Sequence, residues 1–256
     1  MRLTLALFFF LALSPASQGG NKTIDSFYDA KKILTKDVYK KNGPLSLKTI
    51  YCHFPFQGKK IMHVQGLKSA AKKLGKRATR LEWEHIVPAS LFGHHFKEWK
   101  EGHPSCRRKK KSFKGRKCAS KASDEFKKME ADMYNLYPSI GEVNKKRSNF
   151  PMTEFSSDQK KRHKKKFLNC NITIEDNQIE PTDSIKGIIA RTYLYMDSTY
   201  HHLKLLSQKE KDLFKKWHLA FPVTEEECTR GKIIETIQKN SHKLLKESCL
   251  ATFKKW

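Results

Sequence analysis

A carboxylate and an imidazole stand side by side in the segment LEWEHIVPAS, where Glu84 directly precedes His85. Cleavage of a phosphodiester requires an activated water, a charge that neutralises the pentacovalent phosphate, and help for the departing oxygen. A histidine near its own pKa is a good base for the first task. A hard divalent cation on oxygen ligands serves the other two. The two residues therefore indicate a candidate hydrolytic site, with Glu84 on the cation and His85 as the base.

This interpretation depends on a geometric condition, and a purely structural role for the two residues is the alternative. Adjacent side chains point in different directions on a regular helix or strand, so joint action requires an irregular strand end. Pro88, three residues further on, favours such an end. An exposed ion pair, or a histidine packed against Trp83, would explain the same two residues without any chemistry.

Other catalytic patterns do not fit the sequence. The zinc-protease pattern HExxH does not occur, and its inverted form HxxEH would need a histidine where Leu81 stands. The serine-hydrolase pattern GxSxG and a phosphate-binding glycine loop are also missing from the sequence.

The charge of the chain narrows the class of partner. Lysine and arginine number 52 against 26 acidic residues, and the net charge is +26. Such an excess favours a polyanion: nucleic acid, an acidic membrane or an acidic glycan. The charge is concentrated in the runs RRKKKSFKGRK (107–117) and KKRHKKK (160–166), which are otherwise typical of solvated loops. We expect phosphate contacts without base choice from Arg107, Arg108, Lys109, Lys110, Lys114 and Lys117.

The N-terminal residues and the cysteines predict export. MRLTLALFFFLALSPAS reads as a signal peptide covering residues 1–16, which leaves residues 17–256 as one domain. Its apolar run is too short for a membrane span, which needs about 20 residues, and no membrane insertion is expected. Six cysteines in an exported chain indicate disulfides, although six cysteines admit 15 connectivities. We therefore expect a secreted or periplasmic protein.

The elements that must position Glu84 and His85 are short. A first helix is predicted within residues 21–41, capped at Thr23 or Asp25, and a strand at 49–56. Residues 66–80 read as irregular because they hold two glycines among basic residues. RLEWEHIVP follows as an extended segment that ends at Pro88.

The middle of the sequence combines a loop with one helix. Residues 102–121 read as a long surface loop, and Cys106 and Cys118 bracket its basic core and are expected to pin it. A helix from Ser123 to Leu136 follows, with Ser123 as its cap and apolar residues spaced at three and four. Asn135 falls near the end of that helix, where an asparagine can also be a simple C-cap. GEVNKKRSNF (141–150) is predicted to be a loop.

The second half of the sequence is predicted to be helical. One face is formed by apolar residues over 185–196, and Ser207 with Glu210 and Thr224 with Glu227 form capping boxes before two more helices. The whole pattern favours an α+β protein: a mostly helical single domain with a small β element near its middle.

Two motifs together carry a resemblance to a known family. EWEHIVP (82–88) and MEADMYNLYPSIGEVNKKRSNF (129–150) are similar to segments of the endonuclease I family, exported bacterial nucleases with a ββα-metal, or His-Me finger, active site. The similarity continues in YCHFPFQGKK, GIIARTYLYM and FPVTEEECTR, in the family's order. It extends from about residue 22 to Cys249 and thus covers most of the chain.

The resemblance implies a reaction and a set of site residues. It implies a monomeric nuclease that cuts DNA, and often RNA, with little sequence choice, leaving 5′-phosphate ends. One Mg²⁺ ion is implied, with Mn²⁺ or Ca²⁺ as substitutes. By match of motifs, His85 would be the general base and Glu84 a metal ligand. Asn135 would be the second ligand through its amide oxygen, and Arg116 would hold the phosphate, although Arg116 could be one more cation in a basic loop.

The chain also departs from the family pattern. Tyr134 stands where the family often has histidine, and KNSHK (239–243) replaces a Gly-Asn-His-Asn-Pro stretch, so no role is assigned to His242. A non-catalytic exported DNA-binding protein remains the alternative. The disulfides that the resemblance implies are Cys52–Cys170, Cys106–Cys118 and Cys228–Cys249.

Overall fold

The structure is a computed structural model that describes residues 19–62, 65–162, 170 and 172–256. The predicted signal peptide (1–16) and residues 163–166 of the second basic run lie outside the described residues. The helices are α1 (Phe27–Ile33), α2 (Leu67–Leu74), α3 (Ala89–Gly93), α4 (Lys97–Lys100), α5 (Arg116–Ala122), α6 (Asp124–Glu130), α7 (Gly141–Arg147), α8 (Ser157–Arg162), α9 (Asp183–Thr199), α10 (Gln208–Ala220), α11 (Glu225–Gln238) and α12 (Lys243–Phe253). The strands are β1 (Phe56–Gln57), β2 (Lys60–Ile61), β3 (Leu81–His85), β4 (Arg107–Arg108), β5 (Lys111–Ser112), β6 (Leu136–Ile140), β7 (Thr173–Glu175) and β8 (Gln178–Glu180).

The predicted α+β, mostly helical class is confirmed. The strands of the described part form four two-stranded antiparallel sheets, and helices supply most of the remaining regular structure. One main hydrophobic core runs through the protein and includes side chains from Ile24 to Ile234. Of these sheets, the pair β3–β6 is the most deeply buried, whereas β4–β5 is exposed.

The central unit of the fold is β3, β6 and the helix α7. Strands β3 and β6 pair antiparallel, with Glu84 opposite Tyr137 and His85 opposite Leu136. All residues of β6 are buried, as are all those of β3 except the half-buried Glu82. Helix α7 begins directly after β6, so the unit is the ββα arrangement that the resemblance implies.

Helix α7 corrects one prediction. The segment GEVNKKRSNF was expected to be a loop, and this is wrong because Gly141–Arg147 are helical. Its lysines and arginine look solvated in the sequence, yet tertiary packing buries Val143 and Arg147 completely. Gly141 is required there by close approach, since an added Cβ would lie 2.9 Å from the carbonyl oxygen of Arg77.

Residues 66–80 are also more regular than predicted. They form α2 and a 3₁₀ turn at Lys76–Thr79 instead of an irregular segment. Gly66 and Gly75 have φ angles of +78° and +83°, a region that glycine adopts without steric cost. The two glycines therefore bound the helix at its ends and do not interrupt it.

Two further predictions fail at turns. The strand expected at 49–56 is a turn, because His53 has a φ of +53° and only Phe56–Gln57 pair with β2. The loop expected at 102–121 contains the hairpin β4–β5, with Lys109 at a φ of +56°, and then the start of α5. Lysine seldom adopts a positive φ, and histidine does so far less regularly than glycine, so the sequence carries little signal for these two turns.

The boundaries of the predicted helices differ in detail. Helix α1 is capped by Ser26, whose hydroxyl accepts from the Asp29 amide, and not by Thr23 or Asp25. Ser123 caps α6 as predicted, but that helix ends at Glu130. Asn135 consequently lies in a 3₁₀ turn, Met133–Asn135, directly before β6 and not at a helix end.

The C-terminal half is helical, as predicted. The capping box of Ser207 and Glu210 is reciprocal and is therefore confirmed. Thr224 caps α11, but the Glu227 carboxylate does not return to its cap; it forms a bidentate pair with the buried Arg191, at 2.6 and 2.7 Å. An ion pair inside the core thus displaces the local motif.

Three disulfides have the pairing that the resemblance implies. Cys52–Cys170 links the turn before β1 to the segment before β7, and Cys106–Cys118 closes the basic hairpin. Cys228–Cys249 joins α11 to α12. The described part of the chain contains no free cysteine.

Candidate active site

Glu84 and His85 both line one open cleft of about 1300 Å³. Its walls are formed by β3, the N-terminal helix α1, the start of α5, and α7. His85 is the last residue of β3, which is the strand end that joint action of the two residues requires. The structure therefore places both predicted side chains in the same cleft, although adjacent side chains on a regular strand point to opposite faces.

His85 is held as a neutral imidazole. Its Nε2 lies 2.9 Å from the carbonyl oxygen of Glu130, and since a carbonyl only accepts, Nε2 carries the proton. Nδ1 of the neutral ring is then an unprotonated acceptor. Burial, followed by the nearby Arg116 guanidinium, lowers the pKa of His85 to about 3. The Phe27 ring packs against the imidazole with centroids 4.7 Å apart, so the ring orientation is fixed.

Glu84 is a buried carboxylate anchored through one oxygen. Tyr51 donates its hydroxyl to Oε1 at 3.1 Å, and Arg147 Nε lies 3.2 Å from the same oxygen. Glu84 is only 2% exposed. Burial raises its pKa to about 7, against the opposing effect of Arg147. Both described polar contacts fall on Oε1, which leaves Oε2 as the oxygen for another partner.

The buried side chain of Arg147 lies beside Glu84 and links it to the surrounding backbone. It is 1% exposed, and its Nη2 donates to the Ile86 carbonyl at 2.6 Å and to the Tyr193 hydroxyl at 3.2 Å. Its Nε approaches Glu84 without the geometry of a hydrogen bond. The guanidinium therefore joins α7 to the residue after His85 and supplies a positive charge beside Glu84.

The structure does not bring the Asn135 amide into the cleft. Its Oδ1 accepts from the Val87 amide at 2.7 Å, and its Nδ2 donates to the Val87 carbonyl at 3.0 Å. Asn135 is fully buried. Both ends of the side chain are thus committed to the backbone just beyond His85, and Asn135 fixes the course of that strand end.

Asn149 lines the cleft, but its Oδ1 already accepts from the Ser148 hydroxyl at 3.3 Å. The other amide on the wall of the cleft belongs to Asn144 of α7. Its Nδ2 donates to Glu82 Oε2 at 3.3 Å, so the donor end of the amide has a partner and Oδ1 is the end left to accept. Sequence reasoning missed Asn144 because the segment was assigned to a loop. The signal available was its position in GEVN, four residues after the end of β6.

Arg116 lies at the cleft, as predicted, and contacts the surroundings of His85. Its Nε forms an ion pair with Glu130 Oε1, and its guanidinium lies 5.2 Å from the centroid of the Phe27 ring. Ser120 donates to the other Glu130 oxygen at 2.7 Å. Glu130 thus holds His85 through its backbone and Arg116 through its side chain.

The predicted phosphate-binding cations lie elsewhere. Arg107, Arg108, Lys109, Lys110, Lys114 and Lys117 are all exposed on or beside the β4–β5 hairpin, outside the lining of the cleft. The cations of the cleft wall, apart from Arg116 and Arg147, were missed by sequence reasoning: Lys31, Lys32, Lys36, Lys59, Arg77 and Arg80. Lys31 and Lys32 could have been found, since each stands four residues after an aromatic residue of the predicted first helix, Phe27 and Tyr28.

His242, which the sequence left without a role, is a core residue. Its Nδ1 accepts from the Leu245 amide at 3.2 Å and caps α12, and its ring stacks on Tyr195 at 4.5 Å. Burial lowers its pKa to about 3. His242 therefore stabilises the C-terminal helix far from any cleft lining.

Known proteins provide a second line of observation. The family model of Endonuclease I matches residues 24–249. A Buchnera aphidicola protein named Endonuclease-1 is 37% identical over 246 residues, which cover 94% of this chain and 88% of that protein. An extracellular deoxyribonuclease of Aeromonas hydrophila is 35% identical over 243 residues, covering 93% of this chain and 96% of the relative.

The relatives also bear on location. A periplasmic deoxyribonuclease of Aeromonas hydrophila is 35% identical over 200 residues, which cover 77% of each protein. Among the residues that the structure describes, no helix is both long and apolar enough to cross a bilayer. The names of these relatives, extracellular and periplasmic deoxyribonuclease, confirm the prediction of a secreted or periplasmic protein. The chain belongs to the Endonuclease I family and is a nuclease.

Proposed function

We propose that the protein is an exported, sequence-non-specific endonuclease that hydrolyses DNA to 5′-phosphate ends with one bound Mg²⁺. The observation that supports it most is the common cleft of Glu84, His85, Arg116 and Asn144, with the base already in its reactive tautomer. The relatives' names, extracellular and periplasmic deoxyribonuclease, support DNA as the substrate. RNA is a second substrate to test, because phosphate contacts alone do not distinguish the sugars.

The residues of the cleft fit a magnesium ion. Glu84 and Asn144 would hold it, and both are oxygen donors, the type of ligand that Mg²⁺ prefers. Within the described residues, no three His, Cys, Asp or Glu side chains are arranged so that they could hold a metal ion together. That donor set suits an ion that keeps most of its waters, and it does not suit a tetrahedral zinc site. Mn²⁺ and Ca²⁺ take similar ligands and are expected to bind in its place.

His85 would act as the general base. Nδ1 of its neutral ring accepts the proton of a water as the water oxygen attacks phosphorus, while Nε2–H keeps its bond to the Glu130 carbonyl. The bond from phosphorus to the 3′ oxygen breaks, and that oxygen leaves with the electron pair and takes a proton from solvent. When bound, the divalent cation neutralises phosphate charge and stabilises the departing oxygen.

Arg116 would bind the phosphate, and Arg147 would keep Glu84 in place. Arg116 is partly exposed at the cleft, so its unpaired N–H groups remain available to phosphate oxygens. Arg147 is buried and its contacts are with the protein, so it acts on Glu84 and not on the substrate. The remaining cations of the cleft attract the backbone of the nucleic acid in a salt-dependent way.

The test is digestion of supercoiled plasmid by the oxidised protein at neutral pH, with Mg²⁺ and with EDTA. We expect nicking and linearisation with Mg²⁺ only, and fragments that carry 5′-phosphates. His85→Ala should retain DNA binding in a gel-shift assay and lose cleavage. Intact plasmid in Mg²⁺, or equal cleavage by wild type and His85→Ala, would contradict the proposal, and the first result would favour a DNA-binding protein without catalysis.

A further inference from the structure

The face of α1 that lines the cleft carries aromatic rings as well as lysines. Phe27 with Lys31, and Tyr28 with Lys32, stand four residues apart in α1, and Thr35 and Lys36 follow in the π-helical turn Leu34–Val38. Residues four apart lie on the same side of a helix. These four side chains of α1 therefore line the cleft from one side of the helix.

The two rings of this face differ in their surroundings. Phe27 is half-buried, because it packs between His85 and Arg116. Tyr28 is 63% exposed, and it is the aromatic side chain that the described residues leave most open to solvent. Phe27 therefore helps to shape the site, whereas the ring of Tyr28 lines the cleft and is largely open to solvent.

The contacts of Tyr28 leave one face of its ring available. Lys32 Nζ lies 4.2 Å from the ring centroid, one helical turn further along α1, and so covers one face of the ring. The cation also sits where a phosphate bound beside the ring would need a positive charge. An aromatic face next to a lysine is the combination that binds unpaired nucleotides, by stacking of the base and attraction of its phosphate.

We propose that Tyr28 stacks on an unpaired base next to the scissile phosphate and that it makes the protein favour single-stranded over duplex substrate. The inference rests on the proposed function and adds a substrate preference to it. In a duplex each base is already stacked on its neighbours inside the helix. A ring at the edge of the cleft can then reach only the sugar and phosphate, so its removal affects a single strand more than a duplex.

The experiment compares one sequence in two forms. A fluorescent oligonucleotide is used as a single strand and as the same sequence in a blunt duplex, and kcat/KM is measured with Mg²⁺ for wild type, Tyr28→Ala and Tyr28→Phe. Leu219→Ala is the matched control, because Leu219 lies on α10, is 81% exposed and is remote from the cleft lining.

For Tyr28→Ala we expect the ratio of single-strand to duplex kcat/KM to fall about tenfold, the size of one base–aromatic stack. Tyr28→Phe should restore the ratio, since it keeps the ring, and Leu219→Ala should match wild type. An equal loss on both substrates, or no loss, would overturn the inference while leaving the proposed function intact. No cleavage of either form by wild type would overturn both.

A second measurement tests the stack itself in the catalytically silent His85→Ala background. Affinity is measured for the single strand and for the same strand with abasic sites at alternate positions. The abasic sites should weaken binding in His85→Ala but have a several-fold smaller effect once Tyr28→Ala is added. Equal effects in both backgrounds would show that Tyr28 does not contact a base.

Discussion

The cleft and a second buried polar site use the same residue types in opposite ways. Around Asp132, which is fully buried, Oδ2 accepts from the hydroxyls of Tyr195 and Tyr200 at 2.8 and 2.9 Å, and Oδ1 accepts from Gln238 Nε2 and the Tyr134 amide. Both carboxylate oxygens have two donors, and the group does not line the cleft. We call these five residues the closed network.

Glu84 is buried to the same degree, and burial raises the pKa of both carboxyl groups. In Glu84, however, the described contacts fall on one oxygen, and the residue lines the cleft. Burial and a shifted pKa therefore do not separate a functional carboxylate from a structural one. An oxygen left without a protein partner, beside open space, does.

The histidines and asparagines repeat the contrast. His85 and His242 both have a pKa lowered to about 3, but His242 caps a helix inside the core and His85 keeps Nδ1 free at the cleft. Asn135 has both ends of its amide bonded to Val87, whereas Asn144 has one end bonded to Glu82. The comparison predicts that substitutions at the cleft change activity and that those at the closed positions change stability.

The largest expected effect is on the two histidines. His85→Ala should lower kcat by about 10²–10⁴-fold, the usual contribution of a general base, with little change in the melting temperature. His242→Asn, which keeps a capping side chain, should cleave plasmid within about twofold of wild type. Both are measured by plasmid digestion and thermal unfolding. If His242→Asn abolished cleavage in a folded protein, the contrast between cleft and core would fail.

The two asparagines come next. Asn144→Ala should raise the Mg²⁺ concentration needed for half-maximal activity at least about tenfold, since it removes one of the two proposed protein ligands. Asn135→Ala should lower the free energy of unfolding by about 2 kcal/mol or more, because it leaves the Val87 amide and carbonyl without partners. Magnesium titrations and urea unfolding of each variant measure both quantities. If Asn135→Ala raised the Mg²⁺ requirement and Asn144→Ala lowered the free energy of unfolding, Asn135 and not Asn144 would be the ligand.

The free energy of unfolding should depend on pH in a way that reveals the protonation of His242. Its folded pKa of about 3 lies below the unfolded value of about 6.5. Between these values the unfolded chain binds more protons, so stability is full above pH 6.5 and falls as the pH is lowered. The loss attributable to His242 should be about 2 kcal/mol at pH 5. Between pH 7.5 and pH 5, the free energy of unfolding of His242→Asn, measured in urea, should fall by that much less than the wild-type value. An equal fall in both proteins would exclude His242 as the source of the pH dependence.

The smallest expected effects come from two tyrosines that each donate to a buried carboxylate. Tyr200→Phe removes a donor to Asp132 and should lower the free energy of unfolding by about 1.5 kcal/mol, with activity unchanged. Tyr51→Phe removes the donor to Glu84 Oε1 and should lower Mg²⁺-dependent activity several-fold. If Tyr200→Phe lowered the activity and Tyr51→Phe did not, the distinction between the cleft and the closed network would be contradicted.

The sequence predicts three residues of the cleft and one of its strands, but neither helix α7 nor the other cations of the cleft wall. Glu84, His85 and Arg116 were found from motif spacing and family resemblance, and β3 from its extended pattern, because these signals are local. Helix α7 was missed since its helicity depends on burial of Val143 and Arg147 against the rest of the protein. Asn144 was missed along with it.

The choice between Asn135 and Asn144 shows the limit of sequence reasoning most clearly. Both stand in the same matched segment, and both are asparagines next to β6. Only the fold decides which amide meets the strand backbone and which lines the cleft. The closed network was equally invisible, since its members are up to 106 residues apart in the chain.

The most direct test of the central claim is a titration of Mn²⁺, as a spectroscopic substitute for Mg²⁺, into the nuclease without DNA. Electron paramagnetic resonance would follow the free ion for wild type, Glu84→Gln, Asn144→Ala, Asn135→Ala and His85→Ala. The cleft arrangement predicts one site that is weakened at least about tenfold by the first two changes and retained by the last two in folded protein. A site that survives Glu84→Gln and Asn144→Ala together would contradict the account.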